Sequence, residues 1–345
     1  MIGEKKIILG VSCGDINGIG LEILIKAFLD NNLFDFCTPI LYAPQTALNY
    51  YKTLYGFNNF NYHVIKNPKN ASPKQVNLIN FFNDSVDVKP GESSELAGKI
   101  GLESINLTVQ ALKQKEINVL LTLPVNKQSI SLTQKDFVGH TEYLSKQFDN
   151  LSNLMLLCND NLKISTLTNH IPISQVSSSI TKLLVEKKLQ ILIKTLQIDF
   201  LISKPKIAVL SLNPHGGDNG LIGKEDLEII NPVIEDFFKA GHLVYGPYSA
   251  DGFFGSGNYK NFDAILGTYH DQALIPFKSM SFGSGVNYTA GLSVIRVSPD
   301  HGVGYDIAGK GVASTGSLLS SIFLATKLYS NRSLYLTNVR KTEKI

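Results

Sequence analysis

Apolar positions recur along this chain in two rhythms. Short runs rich in β-branched residues, bounded by loop formers, predict strands at residues 5–12, 118–123, 163–168, 206–212 and 263–269. These runs show no polar face, and strands apolar on both sides belong to mainly parallel sheets covered by helices. Between them apolar residues return every third or fourth position, predicting helices at 21–28, 177–198 and 224–240. In the last of these, "KEDLEIINPVIEDFFKA", Leu227, Ile230, Ile234 and Phe237 share one face and Pro232 predicts a kink. Strand and helix in alternation predict an α/β protein. Residues 58–101 break the rhythm. They are more polar, richer in Asn and Pro, and predict surface connections with an antiparallel piece.

Between the first strand and the first helix stands "GDINGIG". Its glycines, Gly14, Gly18 and Gly20, are spaced G-x₃-G-x-G, whereas a dinucleotide fingerprint needs G-x-G-x-x-G and an acidic residue about 20 positions on. The loop is therefore not a Rossmann phosphate loop. Asp15 and Asn17 are expected instead to line the floor of a cleft.

Composition narrows the function. The 345 residues leave room for two α/β domains or one large one. A net charge of +3 gives no basic stripe, which argues against a nucleic-acid partner. Cys13, Cys37 and Cys158 are odd in number and far apart, so they suit neither a disulfide framework nor a zinc knuckle and point to a reducing cytoplasm. The apolar run after Lys5 and Lys6 stops at Asp15 without a cleavage site, which argues against secretion. The uncharged stretch 311–326 is too short and too rich in Ser, Thr and Gly for a membrane span.

Three histidines occupy one structural position. His170 follows the strand at 163–168, His215 follows that at 206–212, and His270 follows the start of "YHDQ" at the end of 263–269. Ligands of parallel sheets gather at the carboxyl ends of strands. Taken singly, each histidine reads better as a strand cap; three at equivalent places point to a divalent-metal site with an open position. His140, in "VGHTEYL", stands before a helical pattern with Thr141 and Glu142, and reads equally as part of an anion site or as a capping arrangement. Further on, Lys278, Asn287 and Arg296 are isolated among apolar and glycine neighbours. A lysine and an arginine without acidic company suit a phosphate or carboxylate, although either alone reads as a solvated surface residue. The glycine-rich run "HGVGYDIAGKG", residues 301–311, reads as a loop that lets backbone approach a ligand.

Nine motifs in order, "GDINGIGLE", "TLPVNK", "GHTEYL", "NHIP", "LNPHGGDNGLIGKED", "ADGFF", "YHDQALIPFK", "GVNYTAGL" and "IRVSPDHG", resemble the 4-hydroxythreonine-4-phosphate dehydrogenase family of pyridoxal 5'-phosphate synthesis. The resemblance runs nearly the full length. It implies two α/β/α domains around a central cleft, similar to isocitrate and isopropylmalate dehydrogenases, with mainly parallel sheets. Residues 1–135 and 300–345 would form the nucleotide side, and 136–299 the metal, substrate and dimer side. It further implies a cytoplasmic homodimer with active sites at the interface, no nucleic-acid or membrane partner, NAD or NADP as cofactor, and one divalent ion (Zn, Mg or Co).

By motif, His170, His215 and His270 match the metal ligands, and His140, Thr141, Lys278, Asn287 and Arg296 the substrate contacts. Lys278 and Asp251 match catalytic positions, and His301, Gly302, Gly304, Ala308 and Gly309 match the nucleotide loop. The general base stays open among Lys278, Asp251 and His140. The implied reaction is NAD(P)-dependent oxidation of 4-phosphooxy-L-threonine at its secondary alcohol, with decarboxylation to 3-amino-2-oxopropyl phosphate. A dehydrogenase of threonate or erythronate 4-phosphate would use the same residues, and a metal-dependent acyl- or phosphotransferase would need no nicotinamide. The chain departs from the usual family form at Ile16–Asn17, at Val303–Gly304 and at Ser284.

Overall fold

The computed structural model describes residues 6–135, 137, 139–148, 153–281 and 283–342. Its contacts divide the chain into two units, Met1–Asn150 with Ser293–Ser330, and Leu151–Leu292 with Asn331–Ile345. The borders fall at 150/151, 292/293 and 330/331, against the expected 135/136 and 299/300 with 300–345 wholly in the first domain. His140, Thr141 and Arg296 therefore stand in the first unit.

The first unit is built on six parallel strands: β1 (Ile7–Ser12), β2 (Cys37–Tyr42), β3 (Tyr62–Val64), β4 (Val76–Ile79), β5 (Val119–Thr122) and, from far along the chain, β12 (Ile295–Pro299). They lie in the order β3-β4-β2-β1-β5-β12, every pair parallel. β1, β2 and β5 are buried almost throughout, as their unbroken apolar runs require. The expected antiparallel piece within 58–101 is instead the parallel edge pair β3 and β4, followed by the start of the helix Glu95–Lys113.

Ser94 caps that helix, its hydroxyl accepting from Ala97 N at 3.1 Å. Its fourth residue, Gly98, meets the helix Lys127–Ser131 so closely that a Cβ would lie 2.3 Å from the Ser129 carbonyl oxygen. An alanine inside a helix ordinarily stabilises by about 1 kcal/mol over glycine. Here Gly98→Ala is expected to reverse that sign and destabilise by about 1–3 kcal/mol, because backbone must yield; an unchanged or raised urea midpoint would refute the contact.

The second unit carries β6 (Leu154–Cys158), β7 (Lys163–Thr166), β8 (Lys206–Leu210), β9 (Leu243–Tyr248), β10 (Ala264–Gly267) and β11 (Val286–Ala290), ordered β11-β6-β7-β10-β8-β9. β6 runs antiparallel to both its neighbours; β7, β10, β8 and β9 are parallel. The long apolar pattern at 177–198 divides into Val176–Ser179 and Lys182–Ile198, with Thr181 capping the second at 3.2 Å to Leu184 N. The kink expected at Pro232 is a π-turn over Asp226–Ile230, after which Pro232 sits in the first turn of Asn231–Lys239. That turn swings Leu227 out to 47% exposure, leaving Ile230, Val233 and Ile234 to face the core. Among the described residues no helix is long and apolar enough to cross a membrane. The three cysteines are free and buried, and burial pushes each thiol up to about 12.

Candidate active site

In the first unit the site is assembled around Arg296 on β12. Its side chain is 2% exposed, and both Nε and Nη2 donate to Thr122 Oγ1 at the end of β5, at 3.1 and 2.5 Å. Burial pulls the guanidinium down to about 9, partly offset by the nearby Glu142 carboxylate. Glu142 stands on the helix His140–Gln147, which opens with the two predicted contacts His140 and Thr141. Tyr143 of that helix is hydrogen-bonded to Asn106, which ties it to this unit.

The His140 imidazole lies among cations. Burial, then Arg296 and Lys127, push its pKa well below 6.5, so the ring is neutral. Its Nε2 is shielded from solvent and has no hydrogen-bond partner among the described residues. An unfolded chain takes up this proton near pH 6.5 while the folded one does not. The residue's contribution to stability is therefore complete above that pH and lost progressively below it. His140→Asn is expected to flatten the fall of Tm between pH 7 and 5 relative to the unmodified protein; parallel thermal-melt curves would contradict it.

The glycine-rich run lies against the opening loop of the same unit. Val303 O accepts from Ile19 N at 2.9 Å, and Tyr305 donates its hydroxyl to Asp15 Oδ2 at 2.7 Å. Asn17 is consumed by backbone, its Oδ1 accepting from Lys89 N at 2.9 Å and its Nδ2 donating to Glu92 O at 2.9 Å. Asp15 and Asn17 are 2% and 1% exposed. They brace the loop; they do not line a cleft. Gly304 and Gly309 need their left-handed backbone, and Ala308 N is bonded to Gly304 O at 2.9 Å. Gly302 differs, because a Cβ there would meet nothing within 4 Å and its φ is ordinary. Internal packing does not require that glycine, whereas close approach of a ligand would. Beside it, His301 Nδ1 donates to Gly302 O at 3.0 Å, and its Nε2 is shielded without a hydrogen-bond partner among the described residues.

In the second unit the three histidines follow three adjacent parallel strands, β7, β10 and β8. The His170 and His270 rings are 5.8 Å apart. His270 Nδ1 lies 2.7 Å from Asp271 Oδ1, which fixes the tautomer with Nε2 free to ligate. His215 opens a left-handed turn through Asn219, with φ of 55° at both ends. The turn is held from below by Asp226, whose carboxylate accepts from Leu212 N at 2.7 Å, Asn213 N at 2.9 Å and Asn213 Nδ2 at 3.0 Å. The donor set, three imidazoles at one rim, fits a divalent transition ion. Among the described residues no three His, Cys, Asp or Glu side chains already close on a common centre. All three histidines reach solvent.

Asp251 and Lys278 are exposed, in the first turn of Ala250–Gly255 and the last turn of His270–Met280. Asn287 lies on β11, and its Oδ1 is shielded without a partner among the described residues. Thr122, Lys127, Glu142 and Asp226 carry no assignment from the residue types alone. The signal for them was their place inside "TLPVNK", "GHTEYL" and "GKED".

Residues 35–325 match the family model described as pyridoxal phosphate biosynthetic protein PdxA. A 4-hydroxythreonine-4-phosphate dehydrogenase of Bacteroides thetaiotaomicron is 42% identical over 331 residues, 95% of this chain and 90% of its own. A Clostridium botulinum protein provisionally named a D-threonate 4-phosphate dehydrogenase is 33% identical over 334 residues, 95% of this chain and 98% of its own. The crystal structure of the Klebsiella pneumoniae 4-hydroxythreonine-4-phosphate dehydrogenase matches with a TM-score of 0.79 at 29% identity, covering 94% of this chain and 100% of that one. Over most of its length, then, this chain belongs to the PdxA family of pyridoxal phosphate biosynthetic proteins.

Proposed function

We propose that the protein is an NAD(P)-dependent 4-hydroxythreonine-4-phosphate dehydrogenase. It oxidises the secondary alcohol of 4-phosphooxy-L-threonine, and the β-keto acid formed loses CO₂ to give 3-amino-2-oxopropyl phosphate. One observation carries the reading. Among the described residues, three of the shielded polar atoms without a hydrogen-bond partner, His140 Nε2, Asn287 Oδ1 and His301 Nε2, fall on residues that the family's motifs assign to substrate and cofactor. A buried polar atom left unpaired costs about 1–3 kcal/mol, so such atoms mark where a ligand completes the bonding.

Arg296 and Lys278 hold the phosphate or carboxylate, Arg296 from a socket fixed by Thr122. His140, Thr141 and Asn287 set the pose, and the neutral His140 ring serves as a hydrogen-bonding group. Lys278 and Asp251, both exposed, and His140 are the candidates to take the hydroxyl proton. His170, His215 and His270 would hold one divalent ion (Zn, Mg or Co), with Asp271 orienting His270. When bound, that ion supplies a Lewis acid for alcohol and carbonyl oxygen, and nicotinamide accepts the hydride. His301, Gly302, Gly304, Ala308 and Gly309 would receive the nucleotide, with His301 Nε2 available to bond it.

NAD(P)H production tests the reading with 4-phosphooxy-threonine against threonate 4-phosphate, each with and without chelator. Turnover of the first that the chelator abolishes is expected. Turnover of threonate 4-phosphate alone would favour the second reading, which the provisional name of the Clostridium relative supports. No absorbance change with either would favour group transfer.

A homodimer is part of the same proposal. Within six residues of each histidine along the chain stands an exposed apolar side chain: Ile173 at 71% exposure, Leu221 at 82% and Ile275 at 66%. Such a rim suits burial against a second copy. Leu221→Lys combined with Ile275→Lys is expected to halve the mass seen by light scattering and to reduce turnover at least tenfold. A monomeric unmodified protein would refute it.

A further inference from the structure

Gln272 stands two residues after His270 in "YHDQ", and the reaction just described gives it no role. Its amide spans a gap. β8 and β10 stay in register from Ala264 against Ile207 to Leu266 against Val209. Beyond that point the two chains leave for the loops bearing His215 and His270. Gln272 Oε1 accepts from Thr268 N at 2.7 Å and from Thr268 Oγ1 at 2.9 Å, while its Nε2 donates to Ser211 O at 2.6 Å. On the other side of β10, Thr168 N and Oγ1 both donate to Thr268 O, at 3.2 and 2.9 Å.

Three strand ends are thereby joined just before their histidines. His170 lies two residues past Thr168, His270 two past Thr268, and His215 four past Ser211. We propose that Gln272 is a positioning residue for the divalent-metal site: its amide fixes the spacing of the strand ends carrying His215 and His270, and so sets how well the imidazoles accommodate one cation. The inference rests on the metal reading above, whether one chain or two furnish the ligands. Only a carboxamide meets all three demands, two acceptances from Thr268 and one donation to Ser211. A carboxylate of the same shape keeps the first two and sets an oxygen against the Ser211 carbonyl.

The full chain, stripped with chelator, is titrated with Zn²⁺ by calorimetry and loaded with Co²⁺ for its visible spectrum. Gln272→Glu and Gln272→Met are expected to bind Zn²⁺ about 10–100-fold more weakly and to shift the Co²⁺ bands. Ile207→Val, which removes a buried methyl group from β8 at the end of the pairing away from the linkage, is expected to lower Tm while binding like the unmodified protein. Should Gln272→Met fail to fold, the isosteric Gln272→Glu decides. Gln272 variants that match the unmodified protein in affinity and spectrum, while His215→Asn loses the metal, overturn the inference and leave the metal reading standing. An unmodified protein that takes up no stoichiometric metal overturns both.

Discussion

His215→Asn is expected to lower kcat/KM for the phosphorylated hydroxy acid by roughly 10³-fold or more while leaving a folded protein. A bound divalent ion stabilises developing charge by several kcal/mol, and about 4 kcal/mol corresponds to that factor. Asparagine is the apt replacement because His215 has a φ of 55° and stands at the head of five left-handed residues. Asparagine tolerates that conformation, whereas alanine adds about 1–2 kcal/mol of backbone strain and confounds stability with chemistry. Steady-state kinetics on metal-loaded and chelator-stripped protein, with a thermal melt as control, check the effect. Activity that survives both stripping and substitution would remove His215 from the metal site.

Arg332→Met is expected to destabilise the second unit by about 3–5 kcal/mol, the usual result of breaking one side of a buried ion pair. Arg332 Nε donates to Asp199 Oδ1 at 2.7 Å and its Nη2 to Asp199 Oδ2 at 3.0 Å and Tyr288 Oη at 2.9 Å. Tyr288 in turn donates to Asp199 Oδ2 at 2.6 Å. Asp199 and Tyr288 are 2% and 0% exposed, so the carboxylate loses its counter-ion where water cannot replace it. Asn331, the preceding residue, adds a bond from Nδ2 to Asp199 O at 2.8 Å. Urea denaturation measures the loss, and a change below about 1 kcal/mol would refute the account.

Period and strand-end position made much of this legible in advance. Unbroken apolar runs gave β1, β5, β7, β8 and β10 to within a few residues, because a strand buried on both faces has little latitude in composition. The carboxyl-end offsets of β7 and β10 arise where Thr168 and Thr268 leave the ladder to hold loops. What sequence left dark has a common cause: the same residue type can serve ligand or fold. Asp15 and Asn17 look like site residues, but their polar atoms are engaged by Tyr305 and the 89–92 backbone. Thr122 looks like the end of a strand, but it holds Arg296. Leu227 keeps helical spacing, and one extra residue in a π-turn rotates it to solvent.

The membership of β12 in the first unit has a consequence for synthesis. β12 pairs with β5, yet residues 151–292, the bulk of the second unit, are made between them. At about 5–20 residues per second that interval lasts roughly 7–30 s. Throughout it β5 is paired through β1 but offers its other edge unfilled, apolar at Val119, Leu120 and Leu121. The unit whose translation starts first is thus closed late, and its nascent sheet must be kept from other strands until Arg296 arrives to meet Thr122.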